Sequence, residues 1–191
     1  MERVAAKAAE NDAVVVIDEA YHYFYEDSLL DFVTRYENVV VLRTFSKLFS
    51  LAGCRLGYAV STPEIAMYLN RVRPTFEANA VALLFATEAL RRPDMIAELI
   101  RTEREGREYL LSELRRWGYE TYCSGGNYVF LRTREKPTVV AARLQARQVL
   151  VKTYGSGILE DFVRISTGSR QVMGRFLQAL QQVDSVSGVQ L

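Results

Sequence analysis

Arg43-Thr44-Phe45-Ser46-Lys47-Leu48-Phe49-Ser50-Leu51-Ala52-Gly53-Cys54-Arg55-Leu56-Gly57-Tyr58 is the stretch on which the reading of this chain turns. An apolar run, Val39 to Leu42, leads into it and suits a buried strand. Thr44 and Ser46 then offer hydroxyls, Lys47 an amine, and Arg55 a guanidinium set between Gly53 and Gly57. Hydroxyls and an arginine fork bind phosphate oxygens, and an amine adds to a carbonyl. The pattern therefore suits a phosphate-bearing cofactor held by a covalent bond. A Ser-Lys pair alone would read as a solvated loop lysine, because short motifs match by accident.

Upstream, residues 2 to 10 are rich in Ala, Glu and Lys and predict a helix that Asn11-Asp12 breaks. Ala13 to Asp18 is a β-branched run that predicts a strand buried on both faces. An acidic and aromatic cluster, Asp18 to Asp27, follows, then a helix or turn over Leu29 to Tyr36 and a second strand over Val39 to Arg43. Arg55 to Val60 predicts a third strand. Strand, crossover, strand in this order predicts a parallel α/β sheet.

Downstream, Ser61-Thr62-Pro63-Glu64 carries a hydroxyl cap and a first-turn Pro, the chemistry of a helix start. Helical spacing then runs to Trp117, interrupted at Pro74 and Pro93 and stopped by Gly118. Arg101 to Arg116 is basic with interleaved glutamates and reads as a solvated helix face. Beyond it the pattern is α+β. Strands are expected at 119–122, 128–132, 149–152 and 162–166, and helices at 138–146 and 170–183. These expectations give two domains, residues 1–100 and 101–185, and a frayed tail over 186–191.

The 191 residues carry a formal net charge of +1, which gives no electrostatic case for a nucleic acid or an anionic membrane as partner. Cys54 and Cys123 are isolated and His22 is the sole histidine, so a zinc site, a disulfide framework and a Ser-His-Asp triad are poorly supported. A reducing cytoplasm is the expected compartment. No stretch reaches the roughly 20 apolar residues that a membrane span needs.

The Lys47 stretch resembles the cofactor-lysine segment of pyridoxal-phosphate (PLP) aminotransferases of the aspartate-aminotransferase fold, and most closely the histidinol-phosphate aminotransferase group. Asp18-Glu19-Ala20-Tyr21 matches the same family one strand-crossover-strand unit earlier. The resemblance implies a PLP-binding large domain of mostly parallel sheet and helices, followed by a small α+β domain. It implies that Lys47 is covalent anchor and general base, a role that burial and nearby cations favour by lowering an amine's proton affinity, and Arg43 and Arg55 are the cations the sequence offers. It implies that Asp18, as a buried carboxylate, holds the proton on the ring nitrogen. Tyr21 would donate to the phenolic oxygen, and Ser46 and Arg55, with Thr44, would hold the phosphate. His22, Tyr23, Phe24 and Tyr25 read as packing or pocket wall.

In the later part, Arg164 of Phe162-Val163-Arg164-Ile165-Ser166 resembles the arginine that grips the carboxylate of 2-oxoglutarate and, in the other half-reaction, the phosphate of histidinol phosphate. Asn127 resembles the asparagine that lies near the substrate, and reads equally as a turn residue after Gly125-Gly126. Lys152 stands where this group usually carries a second arginine. It keeps the charge but not the planar fork, which bears on the substrate more than on the reaction class. Threonine-phosphate decarboxylases and aromatic aminotransferases look much alike around the lysine and stay open as alternatives, as does a non-catalytic homologue.

The resemblance covers about residues 5 to 183. Family features that precede the first strand, a Gly-rich phosphate loop, a ring-stacking aromatic and an Asn-Pro loop, are absent from this sequence. The expectation is a C-terminal portion of the fold, or a naturally short protein, with an exposed sheet edge and apolar face, weak PLP binding and self-association. The family's homodimers imply a dimeric parent.

Overall fold

A computed structural model describes residues 1–25, 27–75 and 77–184. The tail expected over 186–191 lies outside the described residues. The chain divides into two compact units, residues 1–99 and 100–191.

In the first unit the order is α1 (Glu2–Ala9), β1 (Val15–Asp18), a 3-10 turn at His22–Phe24, α2 (Phe32–Arg35) and β2 (Val39–Thr44). A second 3-10 turn (Ala52–Cys54), β3 (Gly57–Val60), α3 (Pro63–Val72), α4 (Ala80–Leu90) and the start of α5 (Pro93–Arg116) follow. The three strands form one sheet in the order β1-β2-β3. β1 and β2 are parallel with Asp18 opposite Leu42, because the chain between them crosses over through α2. β3 is antiparallel to β2, with Thr44 opposite Gly57. The expected parallel sheet is thus mixed. After β2 the chain turns straight back, Phe45 N–H bonding the Leu56 carbonyl at 3.1 Å, and a direct return can only run antiparallel.

Ala5, Ile17, Phe32, Val33, Val39 and Val41 pack together beneath this sheet. The expectation that β1 is buried on both faces is overturned, since Val16 is 59% exposed while Ile17 is buried. A β-branched run can enter a strand, but covering its second face takes another element. β1 is an edge strand, and Val14 beside it is also exposed.

Pro63 opens α3 at its first position, but the expected hydroxyl cap does not form. Ser61 Oγ instead donates to the Thr62 carbonyl. α4 is capped by Asn79, whose side-chain oxygen accepts from Ala82 N–H at 2.8 Å. The same side chain donates to the Cys54 carbonyl at 3.2 Å and so ties the helix start to the turn before Arg55. Ala82, Ala86 and Ala89 of α4 are buried, whereas Val81, Leu83, Leu84, Phe85 and Leu90 are exposed.

The second unit holds the rest of α5, then β4 (Thr121–Tyr122), β5 (Tyr128–Arg132), α6 (Pro137–Gln145), β6 (Lys152–Thr153), β7 (Phe162–Ser166) and α7 (Arg170–Val183). Its sheet runs β4-β5-β7-β6, antiparallel throughout. One sheet face carries Val129, Leu131, Val163 and Ile165, buried with Leu110 and Leu114 of α5, Val140 and Leu144 of α6, and Phe176 and Leu180 of α7. Burial of each such side chain contributes roughly 1.5–3 kcal/mol. Gly118, at φ +74°, ends α5 as expected. Strand β6 starts at Lys152, later than expected, because Val149 and Val151 are taken up by the core before pairing begins.

Two buried carboxylates pin this unit. Asp184 follows α7 at 1% exposure. Its Oδ2 accepts from the Tyr119 hydroxyl at 3.0 Å and Arg134 N–H at 3.1 Å, and its Oδ1 from Glu135 N–H at 3.2 Å. Burial pushes the Tyr119 phenol pKa up, and the Asp184 charge adds to it. The other is Glu103, which the reading of 101–116 as a solvated face did not anticipate. Glu103 is buried, accepts from the Thr167 hydroxyl at 2.6 Å and lies 3.5 Å from Arg107 Nε. Gly106 lets α5 come this close, since a Cβ there would stand 1.8 Å from the Gly168 carbonyl oxygen.

Candidate active site

In the first unit, the polar residues of interest gather at one end of the sheet. Asp18 closes β1, Thr44 closes the parallel strand β2, and Gly57, opposite Thr44, opens β3. The carboxyl ends of β1 and β2 and the Arg55 turn therefore share an edge, the edge where open α/β sheets place their ligands.

The loop from Thr44 to Leu56 is built by short-range bonds. Thr44 Oγ1 accepts from Ser46 N–H at 3.1 Å and donates to the Leu56 carbonyl at 3.4 Å, so this hydroxyl shapes the loop. Ser50 N–H donates to the Lys47 carbonyl at 3.2 Å. Ser50 and Arg55 both take left-handed backbone, at φ 56° and 52°. For a non-glycine residue that conformation costs roughly 1–2 kcal/mol, and such strain concentrates at functional sites. The Arg55 side chain is exposed and donates to the Ala52 carbonyl at 3.1 Å. Gly57 is required where it stands, because a Cβ would meet the Arg43 carbonyl oxygen at 2.7 Å.

Lys47 is half-buried, and its Nζ lies 5.1 Å from the centroid of the Tyr21 ring. The two residues named from separate motifs thus meet. The aromatic cluster after Asp18 forms a wall beside the loop, with His22 on Tyr23 at 3.8 Å, Tyr23 on Phe49 at 5.5 Å, and Phe45 on Phe49 and Tyr58 at 5.3 and 5.7 Å. Burial lowers the His22 pKa, and the Arg43 charge lowers it further. A separate cavity of about 480 Å³ is lined mainly by apolar side chains, among them Phe49, Leu51, Leu84 and Phe85, with Glu88 and Arg92 as its charged members.

Two expectations for this site need correction. Asp18 is exposed rather than buried, its Oδ1 accepting from Ala20 N–H at 2.9 Å, because among the described residues no strand pairs with the outer side of the edge strand β1. Arg43 is not a free cation for Lys47. Its Nε and Nη2 donate to Glu19 Oε2 at 3.1 and 2.9 Å, and Nη2 also donates to Ser28 Oγ at 2.9 Å.

Glu19 is the residue that motif reading passed over. It is buried, and its Oε1 accepts from Leu29 N–H at 2.5 Å and Ser28 Oγ at 3.0 Å. Burial would raise its pKa, but these donors and Arg43 outweigh it and hold the carboxyl below the ordinary glutamate value. The signal was available. Glu19 follows the end of the first apolar run and Arg43 closes the second, which puts opposite charges at the ends of two consecutive predicted strands.

In the second unit, Arg164 lies opposite Phe130 on one side and Lys152 on the other, so all three share one row on the sheet face away from the core. The Arg164 guanidinium sits 5.4 Å from the Tyr128 ring centroid and Lys152 Nζ 5.9 Å from that of Tyr154. Like charges directly opposite one another repel, so this row suits an anion that bridges them. The Asn127 carbonyl accepts from Thr167 N–H at 2.9 Å and extends the β5–β7 ladder by one bond. Behind it, Arg107 Nη1 donates to the Gly126 carbonyl at 3.4 Å, which links the turn to Glu103. An interior-helix glycine between Glu103 and Arg107 was the available sign of this close approach.

Among the described residues no group of three or more His, Cys, Asp and Glu could hold a metal ion. Likewise, among them no helix is long and apolar enough to cross a membrane.

The family model for "Aminotransferase class I and II" matches residues 1–180. A histidinol-phosphate aminotransferase of Geobacter sp. (strain M21) is 37% identical over 181 residues, which cover 94% of this chain and 52% of the relative. The histidinol-phosphate aminotransferase of Geobacter sulfurreducens is 38% identical over 184 residues, 96% of this chain and 52% of its own length. Among solved structures, histidinol-phosphate aminotransferase from Sinorhizobium meliloti in complex with pyridoxal-5'-phosphate matches with a TM-score of 0.81 and 28% identity, over 95% of this chain and 52% of that one. The chain spans about half the length of the curated relatives it matches.

Proposed function

This chain belongs to the class I and II aminotransferase family, and we propose that Lys47 is its PLP-bearing amine in a transamination between histidinol phosphate and 2-oxoglutarate. The observation that carries the reading is the convergence of Asp18, Tyr21, Ser46, Lys47 and Arg55 on one end of the first sheet, with Lys47 Nζ over the Tyr21 ring. The donor set fits the group. An amine suits its aldehyde carbon, a carboxylate its ring nitrogen, a phenol its phenolic oxygen, and a hydroxyl with a guanidinium its phosphate.

Once bound, PLP supplies the electron sink that lets the substrate Cα lose a proton. The chain does the rest. Lys47 Nζ would anchor the cofactor and, once freed, would carry the proton between the substrate Cα and the cofactor carbon. Asp18 keeps the ring nitrogen protonated and Tyr21 donates from its phenol. Ser46 and Arg55 hold the phosphate, with Thr44 keeping their loop in shape. Arg164, with Lys152 beside it and Asn127 at the strand entrance, takes the carboxylate of one substrate and the phosphate of the other. The names of the relatives support histidinol phosphate as the amino donor, which would place the parent protein in histidine biosynthesis.

Reduction with borohydride in the presence of PLP, followed by peptide mass mapping, tests the amine. Lys47 is expected to carry the label, and a label spread evenly over Lys7, Lys47, Lys136 and Lys152 would defeat the reading. Turnover is tested with histidinol phosphate and 2-oxoglutarate in the full-length parent. Carbon dioxide released from threonine phosphate, without glutamate formation, would move the assignment to a decarboxylase.

A further inference from the structure

We propose that the buried Glu19–Arg43 ion pair is the positioning element of the Lys47 site, locking the strand end that carries Asp18 and Tyr21 to the strand end that carries Lys47. The inference rests on the reading of Lys47 as the PLP-bearing amine.

Glu19 directly follows Asp18 and stands two residues before Tyr21, while Arg43 stands four before Lys47. The bonds between them leave little freedom. Both Arg43 donors converge on Glu19 Oε2, at 3.1 and 2.9 Å, while Oε1 is held by Leu29 N–H at 2.5 Å. Ser28 Oγ bonds Glu19 Oε1 at 3.0 Å and accepts from Arg43 Nη2 at 2.9 Å, closing a ring of three side chains. On its other side Arg43 is pressed against β3, where its register partner is Tyr58 and where Gly57 leaves no space for a Cβ.

The placement is costly, and the cost points to its use. The side chains of Arg43 and Glu19 are only 14% and 8% exposed. A pair removed from water to that degree adds little net stability over apolar residues of the same volume, and its best-attested use is to fix register. Here the register concerned is that of two parallel strands whose ends bear the acid, the phenol and the amine. Neither member is open enough to touch a substrate, so the role is positioning. A shift of about 1 Å in a reacting group can cost on the order of a hundredfold in rate.

The test uses the 191-residue chain itself, with PLP and borohydride as the probe. The variants are Glu19→Gln, Arg43→Lys, Glu19→Asp and the double Glu19→Gln/Arg43→Lys, each with its thermal unfolding recorded. The readout is the label on Lys47 relative to Lys7, Lys136 and Lys152. Glu19→Gln and Arg43→Lys are expected to cut the Lys47 share by about tenfold or more, the loss usual when a supporting partner of a site residue is removed. The double variant should fall no further, because the two residues act as one unit. Glu19→Asp, which keeps the carboxylate, should recover part of the loss. Wild-type selectivity for Lys47 in variants that still unfold cooperatively would overturn the proposal, as would an equal change at all four lysines. Should Glu19→Gln fail to fold, Arg43→Lys, which keeps both charges, decides. A wild-type chain without preference for Lys47 would instead bring down the reading of Lys47, and the positioning role with it.

Discussion

Lys47 Nζ stands 5.1 Å from the centroid of the Tyr21 ring. The amine comes from the loop after β2 and the ring from the turn after β1, so their meeting depends on the parallel pairing of those strands. An ammonium over an aromatic face gains about 0.5–1 kcal/mol at an accessible site.

Tyr21→Phe keeps the ring under Lys47 and removes only the phenol. The thermal midpoint should stay near wild type, while PLP affinity should fall by about tenfold, the loss of one charge-assisted hydrogen bond worth roughly 1.5 kcal/mol. Tyr21→Leu should lower both. Absorbance titration with PLP and a melting curve check the pair of outcomes.

Glu19 gives the stability an acid-side dependence. Folding lowers its pKa, so its contribution is fully present above the ordinary glutamate value of 4.5 and is lost as pH falls through the lower folded value. Glu19→Gln should cost about 3 kcal/mol at neutral pH, because it leaves the Arg43 charge buried without its partner. The gap between wild type and Glu19→Gln should narrow as the pH is taken below 4.5, when wild-type Glu19 becomes neutral as well. Urea unfolding across that range measures it.

Tyr119 acts on the alkaline side. Folding raises its pKa above the ordinary 10.0, chiefly through burial and then through the Asp184 charge. Its contribution is therefore fully present below pH 10 and is lost as pH rises through the folded value. Tyr119→Phe removes the bond to Asp184 and should cost about 1–2 kcal/mol at neutral pH. Above pH 10 the wild type should lose stability faster than Tyr119→Phe, as followed by chemical unfolding at both pH values.

Gly106→Ala should be among the most damaging single-methyl changes in the second unit. The new Cβ would stand 1.8 Å from the Gly168 carbonyl oxygen, a backbone atom that cannot swing aside. Displacing α5 should also break the Glu103–Thr167 bond of 2.6 Å. A loss of about 3 kcal/mol or more in urea unfolding is expected, against about 1 kcal/mol or less for Ala at the exposed Ser112.

Much of the fold was legible in the residues because its signals act over a few positions. Pro63 and Pro93 open helices, Gly118 closes one, and the strand over Phe162–Ser166 stands where its alternation put it. What was misread concerns neighbours distant in sequence. Ala13 to Asp18 is apolar enough for a doubly covered strand, yet Val16 faces solvent, because among the described residues no element covers it. The segment read as a strand over Arg55 to Val60 pairs only from Gly57, since Arg55 closes a turn, and its direction depended on the path of the loop before it.

The site divides in the same way. Resemblance to the aminotransferase motifs singled out Asp18, Tyr21, Ser46, Lys47, Arg55 and Arg164 as candidates. Only three-dimensional packing decided what each charge does. Arg43 is bound to Glu19, 24 positions away in the chain, and is withdrawn from Lys47. Glu103 turns inward to Thr167, 64 positions away, and leaves the solvated face assigned to it. Propensity and motif are properties of neighbouring residues, whereas a buried charge takes its partner from whichever strand or helix the fold brings against it.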